Sequence, residues 1–276
     1  MDCSPVHEIF SHNALLTAIE ENFAEYLLYC CKHIEAHIEE HDTYISVRTG
    51  ILQPSLNVIL RTRIADHELP QKMLQALSPF QQHQLAMSWR LFPSPQLSHL
   101  EQLLFQHGLS YFGDEAGMAL CLQQLPPEPL WPAGLQIEEV EDSTSLQEWI
   151  VTSAHIFSEG AERIDREYIN FEQTVVSGQY HPLHRFLGRL NGEAVATAAL
   201  FLGSETAGLY SVGTRADVRR RGIGTALSYT ALQLAQQAGY QLCVLESSIP
   251  GYHVYAKLGF REYCRIRSWL GDFSPH

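Results

Sequence analysis

Four prolines in ten residues, Leu125-Pro-Pro-Glu-Pro-Leu-Trp-Pro-Ala-Gly134, constrain this chain more than any other stretch. Proline lacks a backbone N–H and has a fixed φ, so the run can form neither a helix interior nor a central strand. It lies almost at the midpoint of 276 residues. The expected organisation is therefore a first domain over residues 1–126, a proline-rich linker over 127–134 and a second domain over 135–276. Either half is long enough to bury a core.

Hydrophobic periodicity predicts a different pattern in each half. In the first, Leu15, Leu16, Ile19, Phe23, Tyr26, Leu27 and Cys30 recur at three- and four-residue steps, which predicts a helix from about Asn13 to His41. Strands are expected at Thr43–Arg48, Asn57–Arg63, Met87–Leu91 and Ala116–Gln123, with helices near Leu69–Leu77 and Gln96–His107. The second half opens with a strand, Leu135–Val140. A helix capped by Ser143 and running to Phe157 follows, then a second over Asp165–Ser177. Strands His184–Leu190 and Glu193–Leu202 are joined by Asn191-Gly192, a strong hairpin signal, and Ala207–Thr214 completes the meander. A helix from Arg221 to Ala238, strand Gln241–Ser247, short helix Tyr252–Leu258 and strand Phe260–Ser268 close the chain. Ala207–Thr214 and Gln241–Ser247 flank a helix and should be parallel, while the meander is antiparallel. The expected fold class is α/β of the α+β kind, with a mixed sheet and helices on both faces.

Charge and cysteine usage exclude several functions. The net charge of −13 argues against a general affinity for nucleic acid or anionic membrane. No stretch has the run of uncharged apolar residues that spans a bilayer, and the N-terminus carries no basic and apolar secretory pattern, so a soluble cytoplasmic protein is expected. The six cysteines, Cys3, Cys30, Cys31, Cys121, Cys243 and Cys264, form no C-x-x-C pair and read as reduced structural thiols. His33, His37 and His41 recur at four-residue steps beside Glu35, Glu39 and Glu40, yet lack the H-E-x-x-H order of a zinc helix. They read as a solvated face, and no metal is expected. Eleven of the 12 cations after residue 135 are arginine, and four of these fall between Arg215 and Arg221.

That cluster sits in Val212-Gly-Thr-Arg-Ala-Asp-Val-Arg-Arg-Arg-Gly-Ile-Gly-Thr-Ala226, where a strand ends, a short loop follows and a helix begins. A first helical turn leaves N–H groups unpaired and carries partial positive charge, so it favours an anion. Gly222 and Gly224 let a ligand approach the backbone, and Arg219, Arg220 and Arg221 add fixed charge. A pyrophosphate suits these groups. A third glycine and a Gly-Lys-Ser/Thr run are both missing, which argues against a dinucleotide fold and a nucleoside-triphosphate loop.

Arg219-Arg-Arg-Gly-Ile-Gly224 is similar to the R-x-x-G-x-G/A acyl-CoA motif of the GNAT N-acetyltransferases, and Val254-Tyr-Ala-Lys-Leu-Gly-Phe260 resembles the same family's Y-x-K-L-G-F element. One helix and one strand separate the two motifs, as in the family, and the match covers about residues 136–268. The resemblance implies a GNAT fold with acetyl-CoA as co-substrate. The backbone of Val212, Gly213 and Thr214 would pair with the pantetheine arm, and Arg219 to Thr225, including Ile223, would wrap the diphosphate. Tyr255 would protonate the departing thiolate or donate a hydrogen bond to it, or else be a packing aromatic with its hydroxyl in solvent. The family's frequent Asn seven residues before this tyrosine is Ser248, which weakens any pantetheine contact there, and its usual Pro after the cofactor strand is Ala216. Glu246 is the candidate general base, or else a strand-end surface charge. Glu159, Glu162 and Asp165 fall where the family builds its acceptor site. The implied reaction is acetyl transfer to a small-molecule or peptide amine in a ternary complex, by a monomer or homodimer. The alternative is a non-catalytic acyl-CoA binding or sensing module. Met87-Ser-Trp-Arg-Leu-Phe-Pro-Ser-Pro-Gln96, Leu100–Gly108 and Gly117–Leu120, with Thr49-Gly50 and Asn57-Val58, look like the degenerate N-terminal domain of two-domain GNAT proteins.

Overall fold

A computed structural model describes residues 9–32, 34–94, 97–158 and 166–274. Cys3, His33, Glu159, Glu162 and Asp165 lie outside the described residues. The chain falls into two compact units, one of residues 1–26 and 117–263, the other of 27–116 and 264–276. The division does not fall at the proline-rich segment, which lies wholly within the larger unit.

The larger unit takes in most of helix α1 (His12–Cys31) and a continuous mixed arrangement: β6 (Leu135–Glu139), α4 (Ser143–Phe157), α5 (Arg166–Thr174), β7 (Leu183–Leu190), β8 (Glu193–Leu202), β9 (Ala207–Thr214), α6 (Ile223–Gln237), β10 (Leu242–Ser247) and α7 (Tyr252–Lys257). Its strands lie in the order β10-β9-β8-β7-β6. The meander is antiparallel, and β9 pairs with β10 in parallel through Ala207–Cys243 and Gly208–Val244. Both expectations for these strands hold. The cap of α4 shifts by one residue: Asp142, not Ser143, accepts from Ser145 N–H at 2.8 Å. Ser145 Oγ in turn accepts from Asp142 N–H at 3.3 Å, which closes a capping box.

Helix α6 buries Ile223, Ala226, Leu227, Ala231, Leu232 and Ala235. Gly188 of β7 makes room for it, since a Cβ there would come within 2.7 Å of Leu227 Cδ1. Trp149 of α4 is buried and donates its indole N–H to Ala198 O at 3.2 Å. The Arg185 guanidinium lies 4.9 Å from the Trp149 ring and pairs with Glu172 of α5 at 2.6 Å. It also donates to Val175 O at 3.0 Å. A charge so deeply buried is stable only with such partners, and they fix α5 against β7.

The smaller unit contains β1 (His37–Glu40), β2 (Ile45–Arg48), β3 (Asn57–Leu60), α2 (Leu69–Gln82), β4 (Ala86–Leu91) and α3 (Leu97–Gln106). Strands β5 (Ser110–Cys121) and β11 (Arg261–Asp272) each contribute residues to both units. Here β1-β2-β3 is an antiparallel meander, β3 and β4 are parallel, and β11 pairs with β4 antiparallel. The core gathers Ile59, Met73, Leu77, Phe80, Met87, Trp89 and Leu104.

The expected helix from Asn13 to His41 is shorter than its periodicity suggests. It ends at Cys31, and residues 37–40 form a strand instead. The register His37–Arg48 to Glu40–Ile45 and a forked Arg48–Glu39 pair at 3.0 and 3.1 Å supply tertiary stabilisation that outweighs local helix preference. His37 and His41 therefore share no helix face, and both are exposed. Among the described residues no group of three or more His, Cys, Asp or Glu could hold a metal ion. No described helix is long and apolar enough to cross a membrane.

The five described cysteines are free thiols and buried. Burial pushes the Cys31 thiol up to about 12 and raises Cys243 further. Thiolate is the reactive form. Iodoacetamide at pH 8 should leave both unmodified in the native protein, as read by intact mass. Labelling of either at the rate seen in denaturant would contradict this burial.

Candidate active site

Parallel strands place their carboxyl ends on one edge of a sheet, and ligands of open α/β sheets bind beyond that edge. In the larger unit this edge carries the ends of β9 and β10. Their shared ladder covers Ala207–Cys243 and Gly208–Val244, and both strands run on, β9 to Thr214 and β10 to Ser247. The exposure pattern changes accordingly: β9 is buried through Leu209 and half-buried from Tyr210 onward.

A kink separates the two halves of β9. Ser211 adopts φ 49°, in the left-handed region that non-glycine residues rarely enter. The β8–β9 register slips between Thr197 and Ala199, so Ala198 faces two residues of β9. Thr197 Oγ1 donates to Ser211 O at 3.0 Å and holds the bulge. Its effect is to turn Val212, Gly213 and Thr214 relative to the earlier part of the strand. Gly213 is needed for packing, because a Cβ would lie 2.5 Å from Ile156 Cγ2 and 3.1 Å from Phe157 Cζ.

Thr214 leads directly into the anion loop. Arg219 Nε donates back to Thr214 O at 2.9 Å, which closes the loop over a short 3-10 turn at Ala216–Val218. Arg220 and Gly222 take φ 62° and 85°, left-handed conformations of the kind from which anion-binding nests of backbone N–H groups are built. The first helical bond of α6 runs from Ala226 N–H to Gly222 O at 3.0 Å. The N–H groups of Ile223, Gly224 and Thr225 therefore precede the helical ladder and form the positive end of its dipole.

A Cβ built on Gly222 would meet nothing nearer than Pro132 Cγ at 3.9 Å, and one on Gly224 nothing nearer than Thr214 Oγ1 at 3.5 Å. Neither glycine is required by the protein's own packing at that point. The space is suited to a diphosphate approaching the backbone, and the groups present fit one. Arg215, by contrast, is held by Glu193 and by Asp217 at 2.8 Å, which raises its pKa and spends its charge within the protein. Of the four-arginine cluster, Arg219, Arg220 and Arg221 stand immediately before the helix start.

A second group assembles at the end of β10. A Cβ on Gly251 would lie 3.1 Å from Tyr255 Cε2 and 3.4 Å from both Ser247 Oγ and Ser248 Oγ, so these four residues converge. Helix α7 carries Tyr255 inward, with its ring 6.0 Å from Phe260 in an edge-on arrangement. Tyr255 is 8% exposed, and burial pushes its phenol up from the ordinary value. It stays protonated across the physiological range and can donate. Glu246 is half-buried, one residue before the end of β10.

Thr214, Arg219 and Gly224 thus meet at one strand end, and Ser247, Ser248, Gly251 and Tyr255 at its neighbour. The sequence reading missed the bulge at Ser211 and the approach of Pro132, which brings the proline-rich segment beside the anion loop. It also missed Asn22 of α1, whose side chain reaches β9. Gly203 and Gly208 were the available signal, since a glycine next to or within a strand often marks a close approach.

Comparison with known proteins identifies a family for part of the chain and a fold for most of it. The model of the acetyltransferase (GNAT) family matches residues 145–260. A GCN5-related N-acetyltransferase from Kribbella flavida superposes with a TM-score of 0.69 at 19% identity, over 94% of this chain and 96% of that one. Another from Sphaerobacter thermophilus gives 0.61 at 17% identity, over 91% and 86%. A tandem GNAT protein from the clavulanic acid biosynthesis pathway gives 0.59 at 12% identity, over 95% of each chain. Comparison with the curated proteins gives no match. Residues 145–260 are a domain of the acetyltransferase (GNAT) family, set in a chain that has the fold of GCN5-related N-acetyltransferases along most of its length.

Proposed function

We propose that the protein is an N-acetyltransferase that moves an acetyl group from acetyl-CoA to an amine by direct attack in a ternary complex. The observation that carries this reading is the kinked end of β9 running into a glycine-opened helix start, with a buried tyrosine at the end of the neighbouring strand β10. Val212, Gly213 and Thr214 would pair with the pantetheine arm. Arg219, Arg220, Arg221, Gly222, Ile223, Gly224 and Thr225 would hold the diphosphate, with Ser248 near the arm. Strand N–H groups would stabilise the oxyanion as the amine nitrogen bonds to the thioester carbon. When the carbon–sulfur bond breaks, the electron pair goes to sulfur and Tyr255 donates toward it. The proton lost by the amine would go to Glu246 or through water. The acceptor is a small-molecule or peptide amine, and the chain's net charge favours a cationic one.

The smaller unit supports a companion reading as a partial copy of the same domain. It repeats a meander, a crossover helix and a parallel strand, with Val58–Ser88 and Ile59–Trp89 paired. Arg61, just after β3, adopts φ 55°, much as Ser211 does in β9. Its helix start differs in the chemistry that matters. Asp66 and Glu68 precede α2, and Pro70 removes an N–H from its first turn, so an anion is repelled there. The fully buried Trp89 donates its indole N–H to Thr62 Oγ1 at 2.9 Å and occupies space beside the strand end.

The test is direct. Purified protein with acetyl-CoA and a panel of amines should release free thiol, and calorimetry should give one coenzyme bound per chain. Two sites per chain would overturn the reading of the smaller unit. Tight binding with no turnover on any amine, peptide or aminoglycoside would identify an acyl-CoA sensing module.

A further inference from the structure

We infer that Asn22 and Tyr210 are positioning residues for the coenzyme strand, so that a helix from the start of the chain governs how β9 presents its kinked end. The inference rests on the reading that Val212–Thr214 receives acetyl-CoA.

One face of α1 grips β9 and the turn before it. Asn22 is 2% exposed. Its Nδ2 donates to Thr206 O at 2.6 Å, and its Oδ1 accepts from the Tyr210 hydroxyl at 2.7 Å. Glu25, one helical turn on, accepts from Ser204 N–H at 2.8 Å and from the Ser204 hydroxyl. Tyr26 stacks on Tyr210 with ring centroids 4.0 Å apart and planes 6° from parallel. Asn22, Glu25 and Tyr26 stand at i, i+3 and i+4, which puts them on one helix face.

Two glycines exist to admit them. A Cβ on Gly208 would collide with Asn22 Oδ1, and one on Gly203 would lie 2.5 Å from Glu25 Oε2 and 2.6 Å from Asn22 Nδ2. Neither glycine has a positive φ, so close approach rather than backbone freedom explains both. Tyr210 is the residue immediately before Ser211. Its hydroxyl and its ring are both held by α1, so the strand is anchored at its last regular residue before the left-handed one. A bulge anchored on one side by Thr197 and on the other by Asn22 has little freedom to relax. A loosened Tyr210 would let Val212–Thr214 swing away from the direction needed to pair with a pantetheine amide.

Tyr210→Phe removes only the hydroxyl, and Asn22→Ala removes both bonds. Each should weaken acetyl-CoA binding about tenfold by calorimetry, or about 1.4 kcal/mol. KM for acetyl-CoA should rise in proportion, with kcat at saturating coenzyme and KM for the amine unchanged. The double variant should lose little beyond Asn22→Ala, because the two residues share one bond. A merely structural role would lower the folded fraction and hence kcat, and leave KM alone; that result overturns the inference. So does wild-type affinity in Tyr210→Phe, which decides the matter if Asn22→Ala does not fold. Loss of acetyl-CoA binding in the wild type itself would instead remove the proposed function, and the same titration reads it.

Discussion

Gly224→Trp should abolish acetyl-CoA binding while leaving the protein at least as stable as before. The position is the second residue of α6, and its nearest neighbour for an added Cβ is Thr214 Oγ1 at 3.5 Å, an ordinary contact. The first atom of the new side chain meets no clash in the free protein. Glycine inside a helix costs about 1 kcal/mol relative to alanine, so a side chain at this point tends to stabilise the folded state. The indole would project between the start of α6 and the end of β9, where the diphosphate would sit. Affinity by calorimetry should fall about 100-fold or more, equivalent to about 2.7 kcal/mol, with an unchanged or higher Tm. Gly213→Ala makes the contrast. Its Cβ would press on Ile156 and Phe157, so it should lower Tm as well as weaken binding. If Gly224→Trp bound acetyl-CoA as the wild type does, the diphosphate would not lie at this helix start. The proposed coenzyme site would then fail as a whole.

The contrast between these two glycines shows what the chain's sequence could and could not disclose. The strand-loop-helix run proposed to hold an anion was legible because its elements are local: strand end, three arginines and two glycines lie within a dozen residues and need only a helix start to converge. The strand and helix order of the second half was legible for the same reason, since alternation and three-to-four-residue spacing are properties of short windows. Gly213 and Gly224 read alike in sequence, however, and only packing separates the glycine that α4 demands from the one that a ligand can use. The left-handed Ser211 had no sequence signal of its own, because a serine there is indistinguishable from any strand serine. The clamp from Asn22 joins residues separated by 188 positions in the case of Tyr210. No periodicity reports such a contact. The first helix was extended too far, to His41, because pairing of β1 with β2 is a non-local gain that local propensity does not contain.

Tyr255→Phe should lower kcat by about 100-fold and leave KM for acetyl-CoA within about twofold of wild type, as expected when a donor acts on the departing group rather than on the bound coenzyme. Phenylalanine keeps the ring that packs edge-on to Phe260, so the core around α7 is preserved and the change is confined to one hydroxyl. The direction of the pKa shift limits the chemistry. A thiol in water has a pKa of about 8.5 and a free tyrosine about 10, and burial raises Tyr255 above that. In the proposed reaction the phenol would therefore be a weaker acid than the coenzyme thiol, and its main contribution would be a hydrogen bond to sulfur as negative charge develops, with the proton shared rather than handed over outright. Activity should consequently hold on the alkaline side to at least the pH at which a free tyrosine ionises, with any earlier loss arising elsewhere. Stability gives an independent reading. A group whose pKa is raised by folding contributes stability that is complete below its unfolded value and lost as pH climbs through the folded one. Wild-type Tm should fall above about pH 10, and Tyr255→Phe should flatten that fall. A variant that turns over at the wild-type rate, yet shows the flattened alkaline profile, would leave Tyr255 as a packing residue with no part in the transfer. The thiolate would then leave unassisted.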